Sequence, residues 1–215
     1  FLNNIPLLQH IGAKNIPVVL SLGMGSLGEI DDAIQLLEQT GNKNIIILHC
    51  VSIYPPNDED TNLRRIENLV SQYPDCVVGF SDHSIGNAIP LAAISLGARV
   101  IEKHFTIDNK LDGWDHHMSC TPEAFGELVG DAKRIVKALG TPRIFRTEDE
   151  VRVNEFRRSI VVNKTLKTGA IISIDDLDAK RPGTGIAPNQ INAVIGRKLA
   201  RSVQRDSILD WSDLL

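Results

Sequence analysis

The sequence has no apolar run long enough to cross a bilayer, and no charged, apolar, small-residue series of the kind that directs secretion. Neither a membrane span nor a membrane partner is expected. It has no basic excess either. The net charge is −4, without the cationic footprint that phosphate backbones select, so nucleic acid is not expected as a partner. Cysteine is scarce. Cys50, Cys76 and Cys120 are odd in number and follow no ligand spacing, which excludes a disulfide framework and reads as reduced thiols of a cytoplasmic protein. An initiator Met is also missing. The chain opens on Phe1, on what reads as a helix already under way, so a fragment or a processed product is expected.

What is present is ordinary for a globular protein: 215 residues, 42% hydrophobic and 23% charged, enough for one large domain or two small ones. The first 140 residues alternate short apolar runs with helical periodicity. Pro17–Leu22 (PVVLSL) reads as a strand covered on both faces. Ser26 and Glu29 form a capping box for a helix that Gly41 stops. Further strands are expected near 45–50, 76–81 and 99–104, with helices over 62–73 and 87–96, the latter capped by Asn87. Thr121-Pro122 starts another helix that ends at Gly140. Four β/α units of about 30 residues each follow. Polar residues close every strand rather than gathering at one crevice, which favours a barrel over a doubly wound sheet. Four units are half of an eight-unit barrel. Residues 141–156 read as a charged linker. Residues 157–215 read as a small, mostly β domain with short strands at 159–162, 170–173, 199–203 and 208–209 and a Gly-rich loop at 180–185.

The densest chemistry lies in Gly79–Met118. Val77, Gly79, Ser81 and His83 share one face of a strand, and Val100, Glu102 and His104 share one face of the next. In parallel neighbours roughly 5 Å apart, His83 and His104 would end side by side at the C-terminal edge, where β/α proteins collect their chemistry. From spacing alone two readings stand: two imidazoles gripping one divalent metal ion, or two polar residues each bonded to a loop carbonyl.

Several motifs occur in order along the chain: LSLGM at 20–24, LHCVSIYP at 48–55, GFSDHSIG at 79–86, GARVIEKHFT at 97–106, GWDHHMS at 113–119, RRSIV at 157–161 and KRPGTGI at 180–186. Together they resemble the sialic acid synthases and their legionaminate and pseudaminate relatives. The resemblance implies the C-terminal half of a TIM barrel over 1–140, then a SAF (antifreeze-like) domain over 157–215. It implies condensation of phosphoenolpyruvate with N-acetylmannosamine or a related amino sugar, dependent on Mn²⁺ or Mg²⁺, with release of phosphate. His83 and His104 become the expected metal ligands. Ser21 and Ser81 become phosphoenolpyruvate contacts, with strand-end capping as the alternative for Ser21. Ser52 stands where some relatives carry an amide. Tyr54 is expected to line the sugar pocket or plug the barrel mouth, and Asp115 to accept sugar hydroxyls or make an Asx turn. Glu102 is read as a carboxylate orienting a ligand or an interior ion-pair member, His116 as a pocket candidate and His117 as exposed.

Arg181, on a loop whose glycines allow a close approach to ligand, is expected to reach the active site of a partner in a domain-swapped homodimer. The lysines that bind phosphoenolpyruvate and the proton-transferring glutamate of the family are not among these motifs. Residues 1–215 alone are therefore not expected to catalyse the condensation. Two alternatives remain: another phosphoenolpyruvate-dependent aldol-type synthase, and a non-catalytic carbohydrate-binding fragment.

Overall fold

A computed structural model describes residues 2–215; Phe1, and with it the reading of a helix already under way there, lies outside the described residues. The chain divides into two compact units, 1–141 and 142–215. In the first, α1 (Ile5–Gly12) has Pro6 in its first turn and its N-terminus closed by Asn4, whose side chain accepts from the Leu7 amide. There follow β1 (Val18–Ser21), α2 (Leu27–Gln39), β2 (Ile45–Cys50), α3 (Arg65–Gln72), β3 (Val77–Asp82), α4 (Ala88–Ser95), β4 (Ile101–Lys103) and α5 (Pro122–Leu139). The capping box is formed: Ser26 N–H donates to Glu29 Oε2 at 2.8 Å and Ser26 Oγ accepts from Glu29 N–H.

All four strands pair in parallel, in the order β1-β2-β3-β4. Strand order follows chain order with no reversal, so this sheet has no switch point of the doubly wound kind. A singly wound sheet with helical crossovers is the arrangement that curls into a barrel, and four units make half of one. Ile30, Ile34 and Leu37 of α2, Ile66 and Leu69 of α3 and Ala93 of α4 pack with Ile45, Ile47, Val78 and Phe80 of the sheet. The opposite face is more open. β1 alternates buried and exposed residues, with Val19 52% exposed, so its run is covered on one face and not on both as the sequence implied. Asn87 is also re-employed. Its side chain makes no cap; its Nδ2 donates to Ala124 O at 3.1 Å, tying α4 to α5.

Two local features set the strand spacing. At Gly79 a Cβ would stand 2.5 Å from both Leu48 Cδ2 and Val100 O, so only glycine lets β2, β3 and the approach to β4 close up. Asn42, fully buried, donates to Ile16 O at 2.8 Å and accepts from Asn44 N–H at 3.0 Å, joining the entries of β1 and β2. Asn42→Ala leaves a carbonyl and an amide without partners. It should destabilise the first unit by about 1–3 kcal/mol in urea denaturation.

The second unit holds α6 (Glu150–Phe156), β5 (Ser159–Val162), β6 (Leu177–Lys180) and α7 (Ile191–Val194). β5 and β6 are antiparallel, in the register Ser159↔Lys180 to Val162↔Leu177. β6 is not among the expected strands. It is polar, Leu-Asp-Ala-Lys, and runs into the loop that the sequence does mark. The strands expected at 170–173, 199–203 and 208–209 are present only as single bridges, Ile171↔Lys198, Leu166↔Val203, Leu199↔Leu214 and Val161↔Ile208. Ile160, Val162, Ile172, Leu199 and Leu209 form the core. A 3-10 turn covers Ile174–Asp176, closed by a Ser173–Asp176 capping box. Among the described residues no helix is long and apolar enough to cross a membrane.

Candidate active site

β3 and β4 end on the two imidazoles. His83 follows the last residue of β3 and His104 the last of β4, because a register of Ser81↔Glu102 and Asp82↔Lys103 carries forward by one step. Their ring centroids lie 5.1 Å apart at 71°. Tyr54, on the loop after β2, packs its ring 4.2 Å from that of His83 and 5.7 Å from that of His104. Asp115 places Oδ2 3.5 Å from His104 Nδ1. The structure thus gathers four of the expected residues, His83, His104, Tyr54 and Asp115, at one point on the C-terminal edge of the sheet.

Hydrogen bonding decides what those rings offer. His83 is 6% exposed and its Nδ1 lies 2.8 Å from Val51 O. A carbonyl oxygen only accepts, so Nδ1 carries the proton and Nε2 of the neutral ring keeps its lone pair. The loop-carbonyl contact is made by His83 and not by His104, whose Nδ1 faces Asp115, and at His83 it is the arrangement that frees the other nitrogen for a ligand. Asp115 is half-exposed, so its contact with His104 is weak in energy, but it favours the same tautomer. Rings this close can share one ion at the usual metal–imidazole distance of about 2.0–2.1 Å. Imidazole nitrogens are donors for divalent first-row ions, and two of them leave further positions for oxygen ligands. Among the described residues there is no group of three or more His, Cys, Asp or Glu placed to hold one.

Ser81 is buried, and its Oγ donates to Glu102 Oε1 at 2.7 Å. Glu102 therefore holds a serine, in place of the ligand-orienting role read from its position. The single Ser81 proton is engaged there, so donation to an anionic ligand means giving up that bond. Ser21 is exposed at the end of β1, opposite Leu48. Ser52 packs over the turn after β1: a Cβ on Gly23 would collide with its Oγ, and Cys50 Sγ stands 3.9 Å from the same oxygen. His116 is structural. Its Nδ1 bonds Thr106 Oγ1 at 2.8 Å and its ring fills the space beside Gly113, while His117 is exposed as read. Asn109 donates to His116 O and Ser119 O, and the Cys120 amide donates to His104 O at 2.7 Å, so the loop that carries Asp115 is stitched to the end of β4. Burial pushes the Cys120 thiol up, which keeps it protonated and unreactive.

Arg181 belongs to the second unit. Its Nε donates to Phe156 O at 3.0 Å and its guanidinium lies 5.2 Å from the Phe156 ring centroid. The glycines of its loop serve the fold. A Cβ on Gly183 would meet Arg157 Cβ at 2.5 Å, and one on Gly185 would meet Leu209 O at 2.5 Å. The close approach they permit here is to the chain itself, not the approach to ligand read from the motif. Ser159 completes the anchorage, donating to Pro182 O at 2.7 Å and accepting from Gly185 N–H at 2.8 Å.

Two groups at the site escaped the sequence reading. Asp82 and Lys103 form an ion pair at 2.6 Å with side chains 0% and 2% exposed. Opposite charges on the last residues of two adjacent strands, each just before a histidine, are the signal that could have found them. His49, 3% exposed, lies with Nε2 2.7 Å from Thr61 O and stacks on Phe80, anchoring the far end of the loop that carries Ser52 and Tyr54. Burial lowers its pKa below the usual 6.5, Arg65 adds to this, and the Thr61 carbonyl opposes it in part. The folded state holds this ring neutral while the unfolded chain takes up a proton below about pH 6.5, so the unfolded state binds more protons there. Stability from this site is full above that pH and falls as pH drops. Urea midpoints at pH 7.5 and 5.5 should show the loss, and His49→Gln should flatten it.

Residues 1–143 match the NeuB family, and residues 157–215 match the SAF domain. The chain is 37% identical to the N,N'-diacetyllegionaminic acid synthase of Legionella pneumophila over 99% of its own length and 61% of that protein. It is 34% identical to the human N-acetylneuraminate-9-phosphate synthase over 96% of its length and 58% of that protein. The crystal structure of N-acetylneuraminic acid (sialic acid) synthetase from Leptospira borgpetersenii, in complex with citrate, superposes with a TM-score of 0.65 at 39% identity, over 70% of this chain and 52% of that one. The chain spans about three fifths of the length of the curated relatives it matches.

Proposed function

Because the chain belongs to the NeuB family, we propose that it forms the metal- and sugar-facing part of a synthase joining phosphoenolpyruvate to N-acetylmannosamine or a related amino sugar, with release of phosphate. The observation that carries this reading is the pair of imidazoles 5.1 Å apart at the strand ends, with the His83 lone pair freed by its bond to Val51 O. His83 and His104 would hold a divalent ion, Mn²⁺ or Mg²⁺. When bound, the ion supplies Lewis acidity to the aldehyde oxygen that must accept carbon from the enol.

The remaining roles fall to the chain itself. Val51 O and Asp115 orient the two rings. Tyr54 presents an aromatic wall beside them, where a sugar ring can pack. Asp115, half-exposed, keeps a carboxylate oxygen for a sugar hydroxyl. Ser81 faces phosphoenolpyruvate at the cost of its bond to Glu102, and Ser21 and Ser52 line the neighbouring strand end. Arg181 is proposed to serve a partner chain in a domain-swapped homodimer, held meanwhile on Phe156. A cytoplasmic setting belongs to the same reading and is supported by three free cysteines. The SAF match over 157–215 favours this synthase over other phosphoenolpyruvate-dependent aldol-type enzymes.

The test is phosphate release from phosphoenolpyruvate with Mn²⁺ and a panel of N-acetylated amino sugars. It is run on the chain alone and mixed with the part of the Legionella relative that the chain does not span. Release that needs both metal and sugar, in the mixture and not with the chain alone, is the expected outcome. Release that persists when His83 and His104 are both replaced by alanine contradicts the proposal.

A further inference from the structure

We propose that Asp82 and Lys103 are positioning residues: their buried ion pair fixes the separation of the β3 and β4 ends, and through it the separation of the His83 and His104 imidazoles and the affinity for a divalent ion. The inference rests on the metal reading above and adds residues that touch neither ion nor substrate.

Asp82 and Lys103 are register partners, and each immediately precedes one of the histidines. Alternation along a strand turns their side chains to the face opposite His83 and His104. They meet there at 2.6 Å, out of reach of solvent. Two further bonds converge on the same point. Asp82 Oδ1 accepts from the Ser84 amide at 2.8 Å, and Lys103 Nζ donates to Ser84 O at 2.7 Å. One cluster therefore ties β3, β4 and the turn that follows His83. Its position matters because the β3–β4 ladder covers only three residue pairs and stops at Asp82↔Lys103. Beyond that step the ladder itself no longer aligns the two imidazoles. His104 is held from the other side by the Cys120 amide.

Stability alone gives a poor account of such a pair. Desolvating two charges offsets most of their attraction, and apolar residues of similar volume do as well or better. What an apolar pair lacks is a fixed distance and a fixed direction. Three charge-assisted bonds converging on one turn supply both.

The test removes both charges and keeps the volume. In Asp82→Asn/Lys103→Met, the introduced amide can still accept from the Ser84 N–H, and the introduced thioether side chain retains the apolar stem. Mn²⁺ affinity is read from the free-ion EPR signal, and folding from circular dichroism in the same samples. The variant should stay folded and bind Mn²⁺ about 10–100-fold more weakly, the range seen when groups that orient metal ligands are lost. A folded variant whose Kd lies within twofold of the parent overturns the inference while leaving the metal reading intact. A parent chain that binds no Mn²⁺ defeats the metal reading and this inference with it. If the double variant does not fold, Lys103→Arg takes its place. It keeps the charge but displaces the contact, and the same Kd ratio decides.

Discussion

Lys103→Ala should destabilise residues 1–141 by about 3–5 kcal/mol, the largest stability loss expected from any single polar substitution in this unit. The reason is asymmetry. Removing the ammonium leaves the Asp82 carboxylate with no countercharge in a site where its side chain has no exposure, and leaves Ser84 O without its donor. The loss is much greater than the pair's own contribution, because the parent has already offset the desolvation of both charges. Asp82→Asn/Lys103→Met should therefore stand close to the parent, and the single variant far below it. Urea unfolding followed by far-UV circular dichroism separates the cases. A Lys103→Ala chain within about 1 kcal/mol of the parent would mean that water or a local rearrangement reaches Asp82, and that the pair does not hold the strand ends.

His83→Ala should cost at least about 100-fold in Mn²⁺ affinity by calorimetry, while changing stability little by comparison. Half of a two-imidazole donor set is lost, and the described residues hold no group of three or more His, Cys, Asp or Glu placed to bind the ion in its stead. Each tenfold step corresponds to about 1.4 kcal/mol of binding. Asp115→Asn provides the graded control. It keeps the side chain's shape and removes the charge beside His104 Nδ1, so its effect should be smaller, about tenfold or somewhat more. Equal effects from the two variants would mean that Asp115 is itself a ligand. No effect from His83→Ala would remove the imidazole pair from metal binding.

The parts of the fold that are legible in the sequence are those with strong periodicity and punctuation. β2 and β3 are regular apolar strands, and Ser26, Glu29, Thr121, Pro122 and Gly140 mark helix ends through local chemistry that needs no tertiary context. The meeting of His83 and His104 follows from a period of two and parallel pairing alone. What is not legible depends on partners distant in sequence. β6 is polar on its exposed positions and makes sense only against β5. The strands expected at 170–173 and 199–203 have the composition but not the neighbours, and shrink to bridges.

At the site, periodicity puts Glu102 on the correct face but does not reveal its partner Ser81, since register decides which side chains touch. Asp82 and Lys103 lie on the outward face, where apolar cover is the default expectation. His49 reads as one more residue of a buried strand, because its partner Thr61 comes twelve residues later across an irregular loop.

One divalent ion held by one imidazole from each of two adjacent strand ends is the central claim. Pulsed EPR on the Mn²⁺-loaded chain measures this directly, through ¹⁴N couplings at the ion. Couplings from two histidine nitrogens are expected, reduced to one in either His83→Ala or His104→Ala at saturating Mn²⁺. Bound Mn²⁺ with no ¹⁴N coupling, or couplings that survive both substitutions together, would contradict it.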